Sequence, residues 1–431
     1  MARGQAVEHS FDDRPPPAEP PQKPAGTARP ASAPAHRAHR GEGPPYEAGA
    51  VDADVAAAVR HTARTILDER IAEATELDRT FCGDLAQRVA DFTLHGGKRV
   101  RPRLVWWGMR ACGAADAASV DAALRLGVAL ELIQTCALIH DDVMDRSPLR
   151  RGKPAVHVGL AARAGLSPDS RRGASFGASA AVLAGDLALA WADDIVADLA
   201  PAPATHRRVR AIWRAMRTEM VAGQYLDLHG QATGDVSAAR AVRTACLKSA
   251  LYSVERPLAI GAALAGADER TTAALRAAGR SAGIAFQLRD DLLGVFGDPA
   301  RTGKPSGDDI REGKPTYLLA VARSRAAAAG DKKALGVLDQ ALGDGELTAH
   351  GLAAVRDVFE TTGARAQTER RADRLVEHAE ARLADAVDVH TPGGRRLLGL
   401  LRSLSAPPAC SAPDGPGPLS AAPPADPAPG L

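Results

Sequence analysis

Asp141-Asp142-Val143-Met144-Asp145 and, about 150 residues later, Asp290-Asp291 within FQLRDDLLGVFGD form two carboxylate clusters with no histidine or cysteine inside either. Carboxylate oxygens are hard ligands, of the kind that hold Mg²⁺ together with substrate phosphates. In a helix, residues four apart stack on one face, so Asp141 and Asp145 point the same way about 6 Å apart, with Asp142 turned aside. Two acids so placed repel each other unless a cation sits between them. The preceding segment, LELIQTCALIH, reads as buried helix, where charge is costly without a partner.

Basic residues recur near the acids. Gly96-Gly97-Lys98-Arg99-Val100-Arg101-Pro102 sets glycines and three cations just before a helical run, where backbone and helix start both favour an anion. Arg150 and Arg151 follow Asp145, Lys248 opens KSALYS, and Lys304 and Lys314 lie in GKPSGDDIREGKPT. Singly, each is by default a surface charge. Collected around acidic sites, they suggest a pocket for two polyphosphates.

These side chains need a helical frame. The 431 residues are 45% hydrophobic, enough to bury one large core between about Val51 and Ser405. VAAAVRHTARTILDERIAEATELDRTF, VDAALRLGVALELIQTCALIH and TERRADRLVEHAEARLADAV carry helical spacing, and runs of alternating β-branched residues are absent. The expectation is an all-α fold, a large helical bundle around a central cavity. Residues 1–50, rich in Pro, Ala and Arg, and residues 406–431, rich in Pro and Ala, are expected to be disordered tails. Gly159 to Gly177, rich in Gly, Ser and Arg, reads as a loop near the mouth of the site.

Composition excludes several functions. A net charge of +2 gives no global attraction for nucleic acid or anionic membrane, and 3% aromatics supply no stacking platform for single strands. Five scattered cysteines without a CxxC pair fit a reducing, cytoplasmic setting and exclude a thiolate zinc site. The best apolar stretches are interrupted by Glu131, Asp186 and Asp193, so no transmembrane segment is expected. Glu8, Asp12 and Asp13 stand where a secretory signal would turn apolar.

With these segments in view, the chain resembles the trans-isoprenyl diphosphate synthases of the polyprenyl synthetase family. GGKRVRP, HDDVMDRSPLRRGKP, GDLAL, GQYLDL, LKSALYS, FQLRDDLLGVFGD and GKPSGDDIREGKPT match that family's segments in order, from about Thr80 to Thr316, in a style similar to actinobacterial geranylgeranyl diphosphate synthases. The resemblance implies an isoprenoid synthase bundle, usually a homodimer, that joins isopentenyl diphosphate head to tail to an allylic diphosphate. It implies about three Mg²⁺ ions, two bound by Asp141 and Asp145 and a third by Asp290 with Asp291 in support. Arg150, Lys248 and Lys304 would then hold the allylic diphosphate, with Lys98, Arg101, Gln134 and Arg151 on the isopentenyl diphosphate and Lys314 closing over the site. Gln287 would face the reacting carbons, Ser249 and Tyr252 would line the same region, and Gln224 and Asp227 would support the metals. His140 and His157 are read as structural.

The chain departs from the family pattern at Gly294, where the second acidic motif commonly has a fifth-position aspartate, and at Pro315 in GKPT. Asp298 is read as a turn residue. Product length is argued from the helix before Asp141, where each 5.4 Å turn matches roughly one isoprene unit. Cys136 and Ala137 are small, so the product should exceed fifteen carbons, with Ile133 and Leu130 as the next floor. Trp106 and Trp107 would shorten it only if one entered the cavity.

Two other readings stay open. A class I terpene cyclase also uses DDxxD and Mg²⁺, and a catalytically weak partner subunit would fit Gly294. The N-terminal arm also resembles extensions by which cargo enzymes dock to an encapsulin-like protein shell.

Overall fold

The computed structural model describes residues 46–150, 152–298 and 306–405. Arg151, Lys304 and the terminal segments 1–45 and 406–431 lie outside the described residues, and with them the proposed roles of those two cations, the two tails and shell docking.

The described residues are helical almost throughout. The helices that position the site are α1 (Val55–Leu77), α2 (Val100–Ala111), α3 (Ala117–Met144), α4 (Arg171–Ala197), α5 (Pro203–Thr233), α6 (Arg256–Leu264), α7 (Glu269–Phe296), α8 (Tyr317–Ala328), α9 (Ala364–Ala386) and α10 (Pro392–Ser405). A π-helical stretch, Cys246–Glu255, runs directly into α6. Helix starts are set by side chains: Asp116 accepts from the Ser119 N–H, Asp268 from that of Thr271, and Thr316 from that of Leu319. The two short strands Leu149–Arg150 and Lys153–Pro154 pair antiparallel just after α3.

α3 is apolar all round and is the axis of the larger core, packed against α1, α2 and α4. By length and composition it would pass as a membrane span, but it is largely buried inside the protein, as a core helix is. A second core gathers Leu288, Val295, Leu318 and Phe359 between the C-terminal half of α7, α8 and the helices that follow.

The expected loop from Gly159 to Gly177 is mostly helix instead: the helix Val156–Arg163 covers its start and α4 begins at Arg171. Ser170 caps α4 by accepting from the Gly173 N–H, and the small residues let α4 pack closely on the preceding helix. Tertiary packing here outweighs the low helix propensity of Gly and Ser. Arg163 is paired with Asp84.

Candidate active site

Asp141 and Asp145 end α3 on one face, and the Asp145 N–H closes the last turn on the Asp141 carbonyl at 2.8 Å. Asp142 does turn aside: it is fully buried. Arg146, at φ 54°, carries the chain out of the helix, and the small hairpin returns Arg150 to the acids. The Arg150 Nε donates to Asp142 Oδ1 at 2.7 Å, and its Nη2 reaches Asp141 at 3.3 Å.

α5 faces this helix end. Gly223 brings the π-helical stretch close, since a β-carbon there would lie 2.3 Å from the Lys248 nitrogen. Asp227, one turn further on the same face, accepts from Lys248 Nζ at 2.7 Å, and that ammonium stands 3.5 Å from Asp141. Gln224 donates to Asp141 at 3.3 Å. Burial opposes the charge of Lys248, but Asp227 and Asp141 outweigh it and raise its pKa.

The second acidic motif lies on α7. Asp290 is exposed, whereas Asp291 is buried and accepts from Gln287 at 2.9 Å. Gln287 in turn accepts from Ser249 at 2.6 Å. Burial pushes the Asp291 carboxyl up to about 8, with Asp309 and Asp290 adding to the shift. Lys314 stands 3.7 Å from Asp145 and 3.6 Å from Asp309, and it also pairs with Glu312. Pro315 packs on Gly230 of α5. Asp298 lies just beyond the end of α7.

Beside these groups the guanidinium of Arg101 lies over the Tyr252 ring, 4.4 Å from its centroid, and donates to Ser253 at 2.7 Å. The Tyr252 hydroxyl donates to Gln134 at 2.9 Å, and burial holds the phenol neutral by raising its pKa. Lys98 is exposed and lines a cavity of about 520 Å³ with Arg103, Trp107, Arg395 and Arg396, which none of the other candidate residues line.

Two groups that sequence reasoning did not single out matter here. Arg99, in the left-handed region at φ 51°, is buried and pairs with Glu131 of α3 while donating to the Thr93 and Leu94 carbonyls at 2.8 Å. It fixes the Gly-rich segment to the core. Glu131, an acid buried in the apolar middle of α3, was the available signal. The other is Asp309, which stands against Gly294.

Cys136 and Ala137 face different ways. Cys136 is buried with its Sγ 3.7 Å from His140 Nδ1, and His140 Nε2 lies 3.1 Å from the Val182 carbonyl of α4. Ala137 shares the face of Asp141, one turn below it, with the fully buried Ile133 and Leu130 beneath. Trp106 donates to Asp52 at 2.8 Å and Trp107 packs beneath Arg396, so both are core residues.

The donor set fits a divalent cation. Burial, then Asp141, pushes the Asp145 carboxyl up to about 6, so acids at both motifs are held against their own charge and a cation would relieve them. Among the described residues no three His, Cys, Asp or Glu side chains already form a metal cage. Carboxylates on separate helices suit an ion whose remaining ligands are water and phosphate oxygens.

An all-α bundle that carries two acidic motifs and several half-buried cations is the architecture of an isoprenoid synthase. The polyprenyl synthetase family model matches residues 84–349, and the chain belongs to that family. It is 35% identical over 246 residues to a geranylfarnesyl diphosphate synthase of Aeropyrum pernix, covering 56% of this chain and 71% of that protein. It is 34% identical over 280 residues to a (2E,6E)-farnesyl diphosphate synthase of Mycobacterium tuberculosis, covering 65% of this chain and 71% of that one. A geranylgeranyl pyrophosphate synthase from Corynebacterium glutamicum, solved in complex with isoprenyl diphosphate and magnesium, superposes with a TM-score of 0.75 at 38% identity, over 81% of this chain and 98% of that one. The protein is therefore a prenyltransferase of the prenyl diphosphate synthase kind.

Proposed function

We propose that the protein uses Mg²⁺ to join isopentenyl diphosphate head to tail to an allylic diphosphate, making geranylgeranyl diphosphate and releasing pyrophosphate. The observation that carries this reading is the convergence of Asp141 and Asp145 with Lys248, and of Asp145 with Asp309 through Lys314, at the open end of a helix with Ala137 one turn below. A terpene cyclase is disfavoured by the Arg101–Tyr252–Gln134 cluster, which offers a second substrate position. A silent subunit is disfavoured by the intact first motif.

Mg²⁺ held by Asp141, Asp145 and Asp290 would neutralise the charge that grows on departing pyrophosphate. Lys248 and Lys314, kept protonated by their acidic neighbours, add fixed positive charge to the same oxygens. Gln287, held by Ser249 on one side and Asp291 on the other, presents an amide rather than a nucleophile to the allylic cation. Arg101 positions the second diphosphate, and Tyr252 and Gln134 align beside it. The double bond of isopentenyl diphosphate attacks, and the proton it loses passes to pyrophosphate, so no side-chain base is required. Exposed Phe176 and Leu183, seven residues apart on α4, support the homodimer that the resemblance implies.

The test is incubation of the purified protein with labelled isopentenyl diphosphate, Mg²⁺ and dimethylallyl, geranyl or farnesyl diphosphate in turn, followed by chromatography of the dephosphorylated products. A main product of twenty carbons is expected. No product from any starter, with folded protein, overturns the proposal.

A further inference from the structure

We infer that the cavity between α8, α9 and the helix Ala238–Ala245 is a further anion site, which takes a phosphate group carrying a small apolar body. Its volume is about 290 Å³. A water occupies about 30 Å³ of liquid, so the space equals roughly ten waters, at the small end of small-molecule sites. Arg325 of α8 and Arg371 of α9 line it, and among the described residues no aspartate or glutamate does. Other arginines on the same two helices are paired with acids: Arg323 with Asp339, and Arg365 with Glu360 and Glu369. Arg325 and Arg371 form no ion pair among the described residues. Arg325 donates to Gln367 Oε1 at 3.0 Å and Arg371 to the Tyr317 hydroxyl at 3.1 Å, both neutral partners.

Each guanidinium keeps most of its N–H donors for a ligand, and its planar fork matches phosphate oxygens. Together the two offset the charge of a phosphomonoester, about −2 at neutral pH. Ser324 adds a hydroxyl to the lining, while Ala238, Val242 and Val321 supply an apolar wall that suits a short hydrocarbon rather than a second charge. Tyr317 separates this cavity from the catalytic acids. The Arg371 guanidinium lies over its ring, 4.7 Å from the centroid, whereas its backbone N–H donates to the Asp291 carboxylate. None of the acids or cations proposed for catalysis lines the cavity.

Two arginines merely solvated at the surface would make a different prediction, and Ala239→Phe separates the two. Ala239 is exposed and lines the cavity, so phenylalanine there fills the space and leaves every charge in place. The probe is n-butyl phosphate titrated into the full-length protein in EDTA, followed by the line width of its phosphorus NMR signal. Arg325→Gln, also at an exposed position, and Ala239→Phe are each expected to weaken binding about tenfold or more, with melting temperatures close to wild type. Lys248→Gln, which removes a cation of the proposed catalytic site, should bind the probe as wild type does. Inorganic phosphate should bind several-fold more weakly than the butyl ester, because it leaves the apolar wall unused. No saturable binding to wild type up to about 10 mM overturns the inference, as does wild-type affinity in Arg325→Gln or in Ala239→Phe. Loss of binding in Lys248→Gln would place the probe among the catalytic cations and overturn it equally. Equal affinity for the two probes would overturn the apolar half of the assignment.

Discussion

Arg150 and Asp142 form an ion pair in which the carboxylate is wholly enclosed and the guanidinium half-buried. Asp142 is the acid of its motif that faces away from Asp141 and Asp145, and burial pushes its carboxyl upward while Arg150 partly restores it. Arg150 reached the site in sequence reasoning as a diphosphate ligand. Its geometry shows that it first holds the end of α3 in place. Arg150→Ala would leave a buried charge without a partner and should destabilise the fold by about 3 to 5 kcal/mol, read by urea denaturation. A change below about 1 kcal/mol would mean that the pair is solvated.

Asp141 and Asp145 should behave differently from Asp142. Asparagine at either position removes a hard oxygen ligand while keeping shape and hydrogen bonding. Product formation should fall by about a hundredfold to a thousandfold, the equivalent of several kcal/mol of transition-state stabilisation. Melting temperature should change little. Chelation by EDTA should abolish turnover, with full recovery on adding back Mg²⁺. Retained turnover in EDTA would remove the metal from the mechanism.

The acids were legible because their spacing is local: four residues on a helix fix a face whatever the rest of the chain does. The same holds for the helices, whose apolar spacing and caps lie in one stretch. Lys314 beside Asp145, Arg99 on Glu131 and Asp309 against Gly294 depend on how distant segments pack, and no local period encodes them. The glycine at 294 was visible in sequence, whereas the Asp309 carboxylate that stands against it was visible only in space. Gly159 to Gly177 failed the other way, because composition alone said loop where Ser170 and close helix packing made helix.

The buried acids also set a pH dependence. Asp291 has a native-state pKa of about 8 against an ordinary 3.8, and Asp145 one of about 6. Across that window the native state binds protons that the unfolded chain has released, so metal-free protein should lose stability as pH rises. Melting temperature in EDTA should fall from about pH 5 to about pH 8. Asp291→Asn, neutral throughout, should give a shallower slope and a higher melting temperature at the alkaline end. Parallel profiles for the two proteins would show that Asp291 ionises normally.

Product length should answer to Ala137 and not to Cys136, although the two are adjacent. Ala137 lies one turn below Asp141 on the same face, on the path that the proposed reaction gives the growing chain, with Ile133 one turn deeper. An aromatic ring at Ala137 closes that path one isoprene unit earlier. Ala137→Phe should therefore shift the main product from twenty carbons to fifteen while leaving the first condensation intact. Cys136 instead points at His140, whose ring is seated against the Val182 carbonyl of α4. A phenylalanine there has no cavity to enter, and overpacking in a close-packed core costs about 1 to 3 kcal/mol. Cys136→Phe should lower the melting temperature and leave the product at twenty carbons. If Cys136→Phe shortens the product and Ala137→Phe does not, the chain grows along the α4 side of α3, and the floor is set by α4 rather than by Ile133.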